Sequence, residues 1–390
     1  MPASNWQEFR IGDLGEVFTG RTPPTEHPTY FGEYFPFITP GDMHQGKYAR
    51  ETQRSLSHEG AELLKRIKLP ANSVCVSCIG WQMGEVVMTD RPSFSNQQIN
   101  TIVPNGKVDP SFLYYSLRTR KQELLSLGSA TGVRTPILNK SAFCDTKVVI
   151  PPLPVQQCIA GILSAYDELI DNSQRRIKII ESIALALYRE WFVHFRFPDH
   201  KGLPRMATSL GEIPKGWEVK KLFDLAKVAY GKNLPTKNLI EDGAYPVYGA
   251  AKIIGQYNEF TREHRTIICG CRGSVGEMQI SRGPCFVTNN SFTFDPTHGD
   301  NFFWLYLTLA MRGLRDVIGG AAQPQITLEG ISSVELATPP MPLRSHFQAI
   351  VLPMFQQAWA LDAQVENLQR TRDLLLPRLL SGQIDVEKDT

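Results

Sequence analysis

The chain has 390 residues, 42% hydrophobic and 21% charged, and its 41 Lys and Arg against 39 Asp and Glu leave a net charge of +2. That is a globular composition with room for two or three domains, and it excludes a protein whose whole-molecule field announces nucleic acid, so any such role must rest on local patches. No apolar run approaches about 18 residues and the opening MPASNWQEFRIGD lacks a basic region before an apolar stretch, so neither membrane spanning nor secretion is expected; seven cysteines, an odd number, point to a reducing, cytoplasmic setting.

The first segment, WQEFRIGDLGEVFTG from Trp6 to Gly20, has an ungapped echo in WEVKKLFDLAKVAYG from Trp217 to Gly231, with Trp, Asp, Leu, Val and Gly in register. After it, Phe35-Pro36-Phe37-Ile38-Thr39 and Ser73-Val74-Cys75-Val76-Ser77 read as strands between Pro and Gly punctuators. Next comes a turn, Gly80-Trp81-Gln82-Met83-Gly84, and then a helix from Pro110 to Leu127. The first strand, the turn and the helix have later counterparts in the same order: Tyr245-Pro246-Val247, Gly273-Ser274-Val275-Gly276, and a helix from Asn301 to Leu314. Pro151-Pro152-Leu153-Pro154 returns as Pro339-Pro340-Met341-Pro342. Such ordered duplication sets the architecture before any local reading does.

A helical stripe follows each proline motif. Ile159, Leu163, Tyr166, Ile170, Ser173, Ile177, Ile180, Ala184, Leu187 and Trp191 alternate steps of four and three, the seam of a coiled coil. Moved on by 188 residues, the stripe becomes Phe347, Val351, Met354, Ala358, Leu361, Val365, Leu368, Arg372, Leu375 and Leu379. Ser173 and Arg372 are its polar exceptions, and Pro353 and Pro377 are expected to kink or delimit the second helix. Each stripe spans about 33 residues, about 50 Å of helix. The first helix ends near Phe197-Pro198 and the connector PDHKGLPRMATSLGEIPKG leads to Trp217; to pair with the first helix, the second must run back antiparallel. Trp191-Phe192 falls either in that helical core or on a partner's surface, with the core favoured because Trp191 lies on the stripe. Arg175, Arg176 and Lys178 lie off it and should be solvated. The expected fold is α+β: two mixed globules in tandem, residues 1–150 and 217–338, separated by two long antiparallel coiled-coil helices, 151–197 and 339–390, with a linker at 198–216 and an approximate twofold.

Signs of catalysis are sparse. Gly41-Asp42-Met43-His44-Gln45-Gly46-Lys47-Tyr48 fits GxxxxGK but puts Tyr where a phosphate loop needs Ser or Thr, with no helical run behind it. Cys75-x-x-Cys78 and Cys269-x-Cys271 lack the second pair that makes a zinc signal and fit buried strands better. No HxxxH, GxSxG, Asn/Asp-Pro-Pro-Tyr/Phe tetrad or glycine-rich cofactor fingerprint occurs. A binding and assembly component is the expected class; an adaptor that binds only proteins is the alternative, and a methyltransferase or nuclease is third.

The paired openings, the two glycine turns, IPPLPVQQCIAGILSAYDELID from Ile150, LYREWFVHF from Leu187 and RDLLLPRLLSG from Arg372 resemble the specificity subunit of type I restriction-modification enzymes over nearly the whole chain. The resemblance implies a non-catalytic chain whose two target-recognition domains each read one half of a bipartite, asymmetric double-stranded DNA site. It implies that the helices space the domains and dock adenine-methylating modification subunits, expected as two, with restriction subunits joining through those. No cofactor is expected in this chain; S-adenosylmethionine, ATP and magnesium belong to the partners.

Base reading needs forked or amide side chains on loops, with Lys or Arg on phosphates around them. The first globule offers Thr19, Arg21, Thr22, Lys47, Arg50, Arg54, Trp81, Gln82, Gln97, Gln98, Arg134 and Thr135. Matching places in the second hold Tyr230, Lys232, Asn233, Lys252, Arg265, Arg272, Ser274, Asn289, Asn290, Gln323 and Gln325. Any one such residue is more often simply solvated, and Asn96-Gln97-Gln98 could instead satisfy backbone groups in a turn.

Overall fold

A computed structural model describes residues 5–44, 46–129, 135–320 and 323–386. The chain divides into two units: residues 1–175 with 361–390, and Arg176–Ala360. Both long helices are divided between them.

In unit 1 a four-stranded antiparallel sheet has the spatial order Gly15–Thr19, Ile99–Pro104, Val74–Ser77, Val86–Met88. Unit 2 repeats that order with Ala226–Tyr230, Ser291–Pro296, Ile267–Gly270, Met278–Ile280. A parallel contact accompanies each sheet, Phe37 opposite Phe94 in unit 1 and Val247 opposite Phe286 in unit 2. Each unit also has a short antiparallel ladder, Gln7–Arg10 with Lys147–Ile150 and Glu218–Lys221 with Glu335–Thr338.

The glycines ending the repeated opening have a steric cause. A Cβ on Gly20 would collide with the Ser95 and Asn96 carbonyl oxygens, and one on Gly231 with those of Val287 and Thr288. In both units the next residue is tied to that crossing: Arg21 N donates to Ser95 O at 2.9 Å and Lys232 N to Val287 O at 2.9 Å. The openings differ at their tryptophans. Trp217 is buried against Phe192, Phe195 and Phe197, whereas Trp6 is half-buried at the edge of the unit 1 core.

The helix expected over Pro110–Leu127 is two helices, Pro110–Arg118 and Lys121–Ser129. Its start is capped by Asp109, whose carboxylate accepts from Phe112 N at 2.9 Å. Its first part stops where the Thr119 hydroxyl donates to Ser116 O at 2.9 Å, a local bond that competes with the helical ladder. In unit 2 the counterpart, Phe302–Arg312, ends at Gly313 with φ +68°.

The first long helix runs from Leu153 to Tyr188 and continues as a π turn over Arg189–Val193. The second runs unbroken from Met341 to Leu380, so Pro353 and Pro377 do not delimit it. Pro353 removes one hydrogen bond from a 40-residue ladder, and burial of Val351, Phe355 and Ala358 around it holds the helix together. None of the twenty stripe positions is exposed. Within unit 1, Asp167 reaches Arg372 while Ile159 and Leu163 share a core with Leu376 and Leu379. Within unit 2, Tyr188 and Trp191 pack on Phe347, and Trp191 also meets His346. Rising numbers on one helix therefore meet falling numbers on the other, the antiparallel sense. Trp191 and Phe192 are core residues, and Arg175, Arg176 and Lys178 are exposed. The connector contains an antiparallel hairpin, Arg205–Thr208 with Gly211–Pro214. Among the described residues no helix is long and apolar enough to cross a membrane.

Candidate nucleic-acid interface

Both sheets deliver the same ladder of loops. In unit 1, Cys78 N donates to Gln98 O at 2.8 Å and Cys78 O accepts from Leu138 N at 2.9 Å. In unit 2, Cys271 N donates to Asn290 O at 2.9 Å and Cys271 O accepts from Ile326 N at 3.0 Å. The two cysteines thus occupy equivalent central rungs. The glycine turns that follow are equivalent as well, since Gly80 and Gly84 have φ +89° and +86°, and Gly273 and Gly276 have φ +78° and +81°. Left-handed backbone at both ends of each turn favours glycine; within the unit 1 turn Trp81 and Gln82 are exposed while Met83 is buried in the core.

Around that ladder unit 1 gathers Arg21, Thr22, Gln97, Gln98, Trp81, Gln82 and Thr135. The Thr22 hydroxyl donates to Gln97 Oε1 at 2.7 Å, which leaves the Gln97 amide NH₂ as the outward donor. Trp81 is 73% exposed at the turn, an unusual place for so large an apolar surface; Gln82 beside it is exposed too. Thr135 is exposed one residue before Pro136, whose carbonyl accepts from Gly80 N at 3.0 Å. Gln98 is half-buried and clamped by Asn96, whose Nδ2 donates to Gln98 Oε1 at 2.9 Å while its Oδ1 accepts from Gln98 N at 3.1 Å. Thr19 donates to Asn100 Oδ1 at 2.7 Å, fixing the strand end before Arg21. Arg134 lies outside the described residues.

Unit 2 gathers Lys232, Asn233, Asn289, Asn290, Arg272, Ser274 and Gln325. Asn289 N donates to Lys232 O at 3.1 Å, and Arg272 N shares the Asn290 carbonyl at 3.3 Å. Tyr230 stands where unit 1 has Thr19, and its ring packs tilted against Phe292 at a centroid distance of 4.6 Å. Lys252 is exposed and pairs with Glu277, just beyond the turn, at 3.2 Å. Gln323 is exposed on the loop before Gln325.

Four candidates fall elsewhere. Lys47 is buried, 6% exposed, and its amine donates to Ser111 Oγ at 2.9 Å and Ser164 Oγ at 2.7 Å. Its place on the DNA list is therefore corrected: Met88 N binds Lys47 O at 2.8 Å, and its side chain runs inward to the first long helix. Burial lowers its amine below the usual lysine range, although Asp167 and other carboxylates oppose this. Arg50 is held by Asp171 at 2.9 Å and Asp90 at 3.5 Å. The Arg54 guanidinium lies over Phe31 at 3.7 Å. Arg265 lies over Trp359, on the second long helix, at 3.9 Å.

Cys75 and Cys269 sit in buried strands as read, and Cys78 and Cys271 lie just past the ends of those strands, buried as well. Burial pushes the Cys75, Cys78 and Cys269 thiols up to about 12, the opposite of what a metal-binding thiolate needs. Among the described residues no group of three His, Cys, Asp or Glu is placed to hold a metal. Lys47 in the GxxxxGK stretch is followed directly by no helix among the described residues, and its amine is taken up by the Ser111 and Ser164 hydroxyls. Sequence reading missed one feature, the rung occupied by Ile79 and Ile137 in unit 1 and by Arg272 and Gln325 in unit 2. The signal was available, since Ile79 and Arg272 each precede the first turn glycine.

The pattern described as "Type I restriction modification DNA specificity domain" matches residues 3–182 and again 214–352. The MjaIX type I specificity subunit of Methanocaldococcus jannaschii is 26% identical over 98% of this chain and 94% of its own. The HindI specificity subunit of Haemophilus influenzae is 33% identical over 47% of this chain and 40% of its own. The crystal structure of a type I restriction-modification S subunit from M. genitalium has a TM-score of 0.65 at 18% identity and covers 96% of each chain, a likeness in fold. The chain belongs to the type I restriction-modification specificity-subunit family, whose function is recognition of a DNA target.

Proposed function

We propose that this chain reads a bipartite, asymmetric DNA site and carries the subunits that act on it. Residues 1–150 and 217–338 are the two reading domains, residues 151–197 and 339–390 the spacer helices, and 198–216 the linker. One observation carries the reading. Two units whose four-stranded antiparallel sheets share one strand order present different side chains at equivalent rungs, as in Gln97 and Asn289, and Ile79 and Arg272. One scaffold with two loop sets reads two different half-sites a fixed number of base pairs apart. Methylation and cleavage belong to modification and restriction subunits, which bring S-adenosylmethionine, ATP and magnesium in the cytoplasm; this chain catalyses neither.

The test is to map N6-methyladenine in DNA exposed to the complex reconstituted with its modification subunits. A split motif is expected. If no split motif becomes methylated, and if mobility shifts across a salt series find a complex that forms without DNA and ignores salt, the chain is a protein adaptor instead.

A further inference from the structure

We infer that Arg272, oriented by Gln325, reads a guanine in the half-site taken by unit 2, which rests on the DNA-reading role proposed above. The two residues face each other across an isolated antiparallel bridge, and Arg272 Nε donates to Gln325 Oε1 at 3.4 Å. Their main chains are anchored on both sides, by Ile326 N to Cys271 O at 3.0 Å and by Arg272 N to Asn290 O at 3.3 Å. Arg272 is exposed, and among the described residues no bond to its two terminal amino groups occurs. Elsewhere in the unit Arg262 and Arg312 are neutralised by Asp295 and Asp316. Gln325 is uncharged, so it steers the guanidinium and leaves its full charge in place.

A guanidinium held through Nε keeps its two terminal N–H edges in one plane. Guanine offers two major-groove acceptors, O6 and N7, that such a fork meets, and this is the commonest specific contact of arginine with a base. A phosphate contact needs the charge but carries no sequence information, so the two roles differ in whether binding depends on the base. In unit 1 the same rung holds Ile79 and Ile137, which offer no donor. This rung therefore supplies a guanine contact in one half-site only.

The experiment titrates complexes of the full chain with its modification subunits against duplexes varied one base pair at a time. Wild type is expected to prefer guanine at one position of one half-site by roughly tenfold to a hundredfold. Arg272→Ala should abolish that preference while every other position keeps its own, which also shows that the variant is folded. Gln325→Ala should reduce it, and 7-deazaguanine, which lacks the N7 acceptor, should weaken wild type but not Arg272→Ala. Uniformly weaker binding by Arg272→Ala with all preferences intact would make Arg272 a phosphate contact and overturn the inference. Relaxation at an A·T pair would overturn it as well. A wild-type complex with no sequence preference would sink the DNA-reading role itself, a result distinguishable from both.

Discussion

Asp167 on the first long helix and Arg372 on the second meet at 2.6 Å inside unit 1, each with a side chain only 9% exposed. Tyr115 donates a further bond to the same carboxylate at 2.5 Å, and Asp373 takes the guanidinium from the other side. Burial alone would pull the Arg372 guanidinium down; its bonds to Asp167 and Asp373 hold it above its ordinary value instead. At the equivalent positions, 188 residues away, unit 2 has buried Phe355 and Ala184, with Phe355 stacked on Phe303 at 4.4 Å. One unit closes its helix pair with a polar network and the other with rings.

Removing one partner of a buried pair strands the other charge. Arg372→Ala is therefore expected to destabilise the protein by about 3–5 kcal/mol in urea unfolding, whereas Tyr115→Phe with Asp167→Leu and Arg372→Met should be neutral or better. A loss below about 1 kcal/mol for Arg372→Ala would mean that the charge is solvated.

The two repeat glycines should behave alike. Gly20→Ala and Gly231→Ala each force a methyl group into backbone carbonyls, and each should cost more than about 1 kcal/mol. Gly161, exposed on the first long helix with nothing within 4 Å of a Cβ, is the control. Gly161→Ala should stabilise by about 0.5–1 kcal/mol by thermal or urea unfolding.

Alkaline pH should unfold the protein. Burial raises Cys75, Cys78 and Cys269 from 9.0, and Tyr188 from 10.0, to about 12. For acids raised in the folded state, the unfolded chain loses protons first. Their stabilisation is thus complete below about pH 9 and lost as the pH climbs toward about 12. Urea midpoints should fall steadily across that window, and a thiol reagent at neutral pH should label these three cysteines only after unfolding. A flat midpoint would show that the thiols are not sealed.

Charge at equivalent rungs predicts the salt response. Arg21→Ala and Lys232→Ala should each weaken DNA binding by the assembled complex almost uniformly across sequences and reduce the salt slope by about 1. Lys47→Met should leave that slope unchanged, because its amine already faces Ser111 and Ser164. A reduced slope for Lys47→Met would place its amine at the DNA.

Much of this was legible in the linear order of residues because repetition and periodicity are local to it. The echo of Trp6–Gly20 at Trp217–Gly231 announced two like units, and the four-three stripe from Ile159 to Trp191 announced a helix with one buried seam. Even the polar exception Arg372 was visible there, though not its partner, which lies 205 residues away. Pro353 reads as a kink or a stop, and it does not stop the helix, whose lost bond is outweighed by buried neighbours.

What the sequence by itself determined was the kind and order of parts, because hydrophobic period and glycine placement act over a few residues. Which way a loop side chain faces was decided only by tertiary structure. Lys47 and Arg272 read identically as loop cations. A strand pairing turns Lys47 inward to two serines, while a bridge to Gln325 holds Arg272 outward. That choice depends on hydrogen bonds between segments far apart in the chain, and no local pattern encodes it.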